Sequence, residues 1–187
     1  FLVRLNNEIN ILKLLNNSHI NKIKEVYLYS DKIHIIQDIC IGGDLFNYKH
    51  LVNYHDYSIT NYSIIEHQCK DIIYIIFKTL KYIHSKNIIH RDLKLENIMF
   101  DNTTKLKSSI KIIDFGLSLT KDQLIDENLN GNNKVGTPEY VAPEVLEGKY
   151  NEYCDIWSVG IIMYMLLYGV GPFNDISKTL IFKHIKK

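Results

Sequence analysis

The chain has 187 residues, 46% hydrophobic and 23% charged, which is enough apolar material for a substantial core and excludes a disordered or fibrous polypeptide. Its 22 Lys and Arg against 21 Asp and Glu leave a formal net charge of +1, so there is no basic field for nucleic acid and no acidic tail. Three cysteines, Cys40, Cys69 and Cys154, are odd in number and lack metal-type spacing, which fits reduced thiols in a cytoplasmic or nuclear protein.

The chain starts at Phe1 rather than Met and reads as a piece of a longer protein. Leu2, Leu5, Ile9, Leu12 and Leu15 recur at three- and four-residue spacing and predict an amphipathic helix over residues 3–16. Residues 25–29 and 33–38, joined through Ser30-Asp31-Lys32, read as an antiparallel strand pair. Gly42-Gly43 breaks the second strand, and a short helix is predicted from Asp44. Residues 62–85 form a long apolar-periodic helix, with Ile64, Ile65, Cys69, Ile72, Ile76, Leu80 and Ile83 on or near one face. Short β segments follow, and then an irregular stretch through residue 144. A buried helix is predicted over residues 153–168, and a last one from Ile176 to the end of the chain. The most apolar run, residues 156–170, is shorter than the ~20 residues that cross a bilayer, so no membrane span is expected. Asp126-Glu127-Asn128-Leu129-Asn130-Gly131 imitates the first half of a calcium loop, but its twelfth position is Thr137, not a bidentate Glu, which argues against calcium there.

The informative residues are three motifs in fixed order. They are His90-Arg91-Asp92-Leu93-Lys94-Leu95-Glu96-Asn97, then Asp114-Phe115-Gly116, then Gly136-Thr137-Pro138-Glu139-Tyr140-Val141-Ala142-Pro143-Glu144. Together they resemble the catalytic loop, metal-binding turn and substrate loop of a eukaryotic protein kinase, and Lys94 points to the serine/threonine class. Gly42-Gly43-Asp44-Leu45-Phe46 and Tyr153-Cys154-Asp155-Ile156-Trp157-Ser158-Val159-Gly160 are most similar to the calcium/calmodulin-dependent and calcium-dependent group.

The resemblance implies an α+β, kinase-like fold truncated at both ends. Residues 1–37 would be the last part of the small β lobe, 38–43 the hinge, and 44–187 a mostly helical large lobe lacking its final helices. It implies transfer of the γ-phosphate of ATP, with Mg²⁺, to Ser or Thr of protein substrates. Asp92 would orient the hydroxyl and accept its proton, Lys94 would stabilise the moving phosphoryl group, and Asn97 and Asp114 would hold Mg²⁺ as hard oxygen donors. Gln37, Asp38, Ile39 and Cys40 would line the adenine site as gatekeeper and hinge, with Met99 beneath the ring. Glu8 corresponds to the glutamate that pairs with a small-lobe lysine; that lysine and the glycine-rich loop would precede Phe1, so these residues alone are expected to transfer phosphate weakly or not at all. Asp44 and Glu96 would grip basic residues upstream of the acceptor, and Thr137 would lie against the substrate peptide.

Leu12, Ile23, His90 and Phe115 would stack between the lobes, and Asp155 would hold the backbone of the catalytic loop. Arg91 normally holds a phosphate on the activation segment. Between Thr120 and Thr137 there is no Ser, Thr or Tyr, so Asp122, Asp126 or Glu127 is expected to partner Arg91 instead. Any calcium-sensing segment would lie outside this chain. The alternatives are a pseudokinase or scaffold without phosphotransfer, opposed by the retention of Asp92, Lys94, Asn97 and Asp114, and a small-molecule kinase, opposed by the residue 136–144 motif.

Overall fold

A computed structural model describes residues 2–30, 32–52, 64, 66–130, 134–175 and 177–186. Helix α1 spans Leu2–Leu14 and buries Ile9, Ile11 and Leu12, with Leu15 just beyond it. Leu2 lies off that stripe and is 62% exposed, so the predicted apolar face narrows to the second half of the helix. Strands β1 (Ile23–Tyr29) and β2 (Lys32–Gln37) pair antiparallel as a hairpin that sets Tyr29 opposite Lys32 and Ile23 opposite Gln37. Asp31, in the predicted turn, lies outside the described residues.

The chain then crosses to the larger, helical part. The amide of Gly42 bonds the Phe100 carbonyl at 2.9 Å, and a Cβ on Gly42 would collide with the Asn102 carbonyl and the Phe100 Cβ, so only glycine permits this close approach. Helix α2 (Leu45–Val52) follows, and Asp44 Oδ1 accepts the Asn47 amide at 2.7 Å as its N-cap. Helix α3 (Glu66–Ser85) is the central beam and buries Cys69, Ile72, Ile73, Ile76, Leu80 and Ile83, the periodicity read from the sequence. Tyr62, Ser63 and Ile65 lie outside the described residues. Ile64 is not helical, and its amide donates to the Leu166 carbonyl at 2.9 Å.

Four short strands, β3 (Ile88–Ile89), β4 (Ile98–Phe100), β5 (Ile110–Ile112) and β6 (Leu119–Thr120), pair as β3 with β6 and β4 with β5, all antiparallel. Helix α4 (Lys121–Asn130) occupies the stretch expected to be irregular, and this corrects the sequence reading. Its start is a reciprocal capping box: the Thr120 amide donates to Gln123 Oε1 at 2.9 Å, and the Gln123 amide to Thr120 Oγ1 at 3.3 Å. Asp126 through Asn130 are helical, so the apparent calcium loop does not form there. Helices α5 (Pro143–Glu147), α6 (Tyr153–Tyr168) and α7 (Lys178–Ile185) complete the chain.

Helix α6 matches its predicted limits and packs against α3. One core cluster joins α3 and α6 to Leu12, Ile98, Ile112 and Phe115; a second gathers Leu124, Val141, Val145, Leu146, Ile181 and Ile185 beneath the segment around α4 and α5. Each fully buried Ile or Leu contributes about 1.5–3 kcal/mol, and Leu93 and Leu95 anchor the loop of residues 90–97 in the first cluster while Ile89, just before it, belongs to the second. Among the described residues, no helix is long and apolar enough to cross a membrane.

Candidate active site

The loop after β3 is fixed from below by a buried carboxylate. Asp155 on α6 is 0% exposed; its Oδ1 accepts the Arg91 amide at 2.8 Å and its Oδ2 the His90 amide at 2.9 Å. These two bonds hold Arg91 at φ 67°, a left-handed conformation unfavourable for a non-glycine residue. The strain turns the next residue, Asp92, towards Lys94 and Thr137.

His90 is fully buried, and burial drives its pKa down, so it stands as a neutral ring. Its Nε2 lies 3.2 Å from the Ile113 carbonyl and its ring centroid 4.8 Å from that of Phe115. Leu12 and Phe115 belong to the same core cluster and Ile23 packs against it, and of the expected stack the direct ring contact shown is that of His90 with Phe115.

Four predicted side chains meet directly. Asp92 Oδ1 accepts the Thr137 hydroxyl at 2.7 Å, and its Oδ2 accepts Lys94 Nζ at 2.9 Å. Lys94 Nζ also reaches Thr137 Oγ1 at 3.2 Å. The Asn97 amide nitrogen donates to the Asp92 carbonyl at 2.9 Å, which leaves Asn97 Oδ1 as the acceptor end of that side chain. Burial pushes the Asp92 pKa up, but the hydrogen bonds from Lys94 and Thr137 and the Lys94 charge outweigh it and hold the carboxyl below the ordinary aspartate range. A group whose pKa is depressed stays ionised above that value. Asp92 is therefore expected to add no ionisation step to kcat/KM between pH 6 and 8; its acid limb falls below about pH 4, which a pH–rate profile of the full-length protein checks.

Asp114 comes to the same place through the β4–β5 ladder. Ile98 pairs with Ile112, and the Ile113 amide bonds the Asn97 carbonyl at 3.0 Å, so the residue before one strand and the turn after the other become neighbours. Asp114 has φ 61°, is exposed, and accepts the Gly116 amide on Oδ1 at 3.1 Å. Glu8 faces it from α1: burial first, then the Asp114 charge, raises the Glu8 pKa. Gly136, at φ 109°, brings the third motif against the loop; a Cβ there would sit 2.9 Å from the Arg91 carbonyl.

The other predicted residues lie around this cluster. Gln37 ends β2 and is exposed, Asp38 is exposed and paired with Lys24 at 2.5 Å, and Cys40 is half-buried. Met99 is half-buried on β4 and bridges to Asp44, so the 38–44 segment runs beside it. Asp44 is occupied capping α2, which packs on the 3₁₀ turn Leu95–Asn97 carrying Glu96. Glu96 is exposed and interacts with the buried hydroxyl of Tyr140.

Arg91 points away from Asp92. Its Nη1 donates to Glu127 Oε2 at 2.6 Å and to the Tyr150 hydroxyl at 3.0 Å, while Nε bonds the Leu117 carbonyl at 2.7 Å. Of the three acids expected, the structure selects Glu127, because α4 turns that residue inward. Asn7 on α1 ties into the same helix: it donates to the Ser118 carbonyl at 2.7 Å and accepts Gln123 Nε2 at 3.0 Å. Sequence reasoning missed Asn7, Tyr150 and His84, the last lying 2.8 Å from Asp155 Oδ2. The available signal for α4 itself was Thr120 three residues before Gln123.

Residues 3–187 match the protein kinase domain family. The chain is 42% identical over 184 residues to calcium-dependent protein kinase 5 of Plasmodium berghei (strain Anka), covering 98% of this chain and 30% of that relative. It is 37% identical over 179 residues to calcium-dependent protein kinase 4 of Plasmodium falciparum (isolate 3D7), covering 96% of this chain and 31% of that relative. It is 35% identical over 189 residues to serine/threonine-protein kinase 33 of Mus musculus, covering 98% of this chain and 36% of that relative. The chain thus spans about a third of the length of the curated relatives it matches. Motif order, an α+β fold and similarity along nearly the whole chain agree: these residues belong to the protein kinase domain family.

Proposed function

We propose that the protein containing these residues transfers the γ-phosphate of ATP to Ser or Thr side chains of other proteins. The observation that carries this is the convergence of Lys94, Asn97 and Thr137 on Asp92, with Asp114 brought alongside by the β4–β5 ladder. In that geometry Asp92 is ionised and partly sheltered, suited to orient an incoming hydroxyl and take its proton. Lys94 lies between Asp92 and Thr137, where a cation can offset charge that grows on a transferring phosphoryl group.

The donor set fits Mg²⁺. Asn97 Oδ1 and the Asp114 carboxylate are hard oxygens, and no group of three or more His, Cys, Asp or Glu among the described residues forms a protein-only metal cage. Such a pair suits a cation that takes its remaining ligands from phosphate and water. When bound, Mg²⁺ would neutralise charge on the phosphates. Residues 1–37 act in this reading as the end of the small lobe, 38–43 as the hinge for adenine with Gln37, Asp38, Cys40 and Met99 around it, and 44–187 as the large lobe. Asp44 and Glu96, adjacent through α2 and the 3₁₀ turn, favour basic residues before the acceptor.

The test is phosphorylation of an arrayed Ser/Thr peptide set by the full-length protein with Mg-ATP, in calcium and in a calcium chelator. Transfer to peptides with upstream Arg or Lys supports the reading, and a preference for acidic or proline-flanked acceptors removes the substrate assignment. Loss of activity in chelator would extend to this protein the calcium dependence named in its relatives. No transfer at all replaces the enzyme with a scaffold.

Activity in this reading does not depend on a phosphate held by Arg91, because Glu127 already supplies the anion for Arg91. Phosphatase treatment is expected to leave the rate unchanged. Glu127→Gln should lower it about fivefold, the equivalent of roughly 1 kcal/mol for a charge-assisted bond whose acid is one-third exposed. A large loss on phosphatase treatment would contradict the assignment.

A further inference from the structure

A groove of about 270 Å³ lies between α2, the start of α3 and the turn that joins β4 to β5. Its floor is apolar. Ile72 and Phe100 are buried there, and the half-buried Tyr48 ring meets Phe100 edge-on with centroids 5.0 Å apart. The turn forms one rim and is held by its own bonds. Asn102 Oδ1 accepts the Thr104 amide at 3.1 Å, Lys105 follows at φ 51°, and the amide and hydroxyl of Ser109 donate to the Leu106 carbonyl at 2.8 and 2.7 Å. A rim fixed in this way has little conformational freedom left to lose when a partner binds.

Three features of this groove serve neither the fold nor the cluster around Asp92. Lys105 is half-buried with Nζ 5.5 Å from the centre of the Tyr48 ring, and no carboxylate pairs with it among the described residues. A ring face attracts an ammonium but leaves its charge in place, so a partly desolvated cation there still favours an anion. Leu106, beside it, is 61% exposed. Gln68 also lines the groove, and its Oε1 is buried with no hydrogen-bond partner among the described residues. An acceptor left empty in that way costs about 1–3 kcal/mol, which an N–H brought in by a partner would offset. At the outer edge Lys107 holds Asp71 at 3.1 Å, an exposed pair of small net value that can exchange for another carboxylate.

We propose that this groove docks an extended acidic segment of a protein substrate, a stretch separate from the phosphoacceptor. An apolar side chain of that segment rests on Tyr48, Ile72 and Phe100 beside Leu106, its backbone N–H meets Gln68 Oε1, and the acidic residues flanking the apolar one meet Lys105 and Lys107. The charge preference follows from the two lysines set against the one aspartate that lines the groove. A phosphorylated headgroup would satisfy Lys105 but leave the apolar floor and the Gln68 oxygen unused, whereas a peptide supplies all three groups. The effect on rate rests on the kinase reading above; the binding itself does not.

The experiment measures fluorescence anisotropy of a short labelled peptide, a central Leu flanked on both sides by Glu, with the full-length protein. The expected Kd is about 10–100 μM, weakening as salt rises. Replacing the flanking Glu by Lys, or the central Leu by Ala, should weaken binding at least about 10-fold, as should Lys105→Glu or Leu106→Asp in the protein. Both side chains sit on the turn surface and make none of its bonds, so Tm in these variants should stay within about 2 °C of wild type. Joining the acidic peptide through a flexible linker to an acceptor peptide should lower KM about 10-fold with kcat unchanged. Lys105→Glu should remove that gain while leaving kinetics on the unlinked acceptor within about twofold. Binding without any phosphate transfer would remove the kinase reading and keep the docking site. Absence of saturable binding, as when the protein's own chain already fills the groove, would overturn the proposal. So would equal affinity for the Lys-flanked peptide, or binding indifferent to both variants. Binding that leaves KM of the linked substrate unchanged would overturn the substrate assignment.

Discussion

Asp92→Asn in the full-length protein is expected to lower kcat by about 10²- to 10⁴-fold, with KM for ATP and peptide little changed. The substitution is nearly isosteric, and an amide oxygen can still accept the Thr137 hydroxyl that lies 2.7 Å from Asp92 Oδ1, so the local fold should survive. What disappears is the anion. Lys94 loses the carboxylate it holds at 2.9 Å, and under the proposed function the incoming hydroxyl would lose its proton acceptor. Because Asp92 is already ionised at neutral pH, raising the pH cannot compensate for the loss. Steady-state kinetics check the split between kcat and KM. A variant that keeps more than about a tenth of the wild-type rate would mean that Asp92 is not the proton acceptor. The same assay on Lys94→Ala separates the two roles, since that change removes a cation but leaves the base.

Asp155→Ala should be the most damaging single change to the loop. It leaves the His90 and Arg91 amides without their acceptor in a site where Asp155 itself is 0% exposed, and each unsatisfied buried group costs about 1–3 kcal/mol. The expected loss is about 2–6 kcal/mol of stability, or at least about 4 °C in Tm for a domain of this size. Arg91 then has no reason to remain at φ 67°, so activity should fall even in the molecules that stay folded. Differential scanning calorimetry together with kinetics on the folded fraction tests both parts. A Tm within 1 °C of wild type would show that water or a neighbouring acceptor replaces the carboxylate.

Much of this architecture was legible in the residues because the signals were local. The 3.6-residue period of Ile72, Ile76, Leu80 and Ile83 defined α3, and an apolar run of the right length defined α6. The calcium-like stretch at residues 126–131 could be set aside on its twelfth position, and Asp126 through Asn130 are indeed helical. Helix α4 escaped notice because its composition is polar, and its stability comes from a capping box and from bonds to distant residues: Asn7 on α1, Arg91 in the loop and Glu152 before α6. None of those partners is within helical reach in the sequence.

The three motifs, through their resemblance to a protein kinase, pointed to Asp92, Lys94, Asn97, Asp114 and Thr137 as candidate site residues, since each motif is a short stretch whose chemistry depends on residue type. Tertiary structure alone decided how they meet. The β4–β5 register sets Asn97 beside the Asp114 turn, the glycine at 136 lets Thr137 approach Asp92, and α4 chooses Glu127 over Asp122 and Asp126 as the partner of Arg91. These are contacts between residues 97 and 113, 91 and 127, and 92 and 137, fixed by strand pairing and by which face a helix turns inward, and no local pattern encodes a choice of that kind.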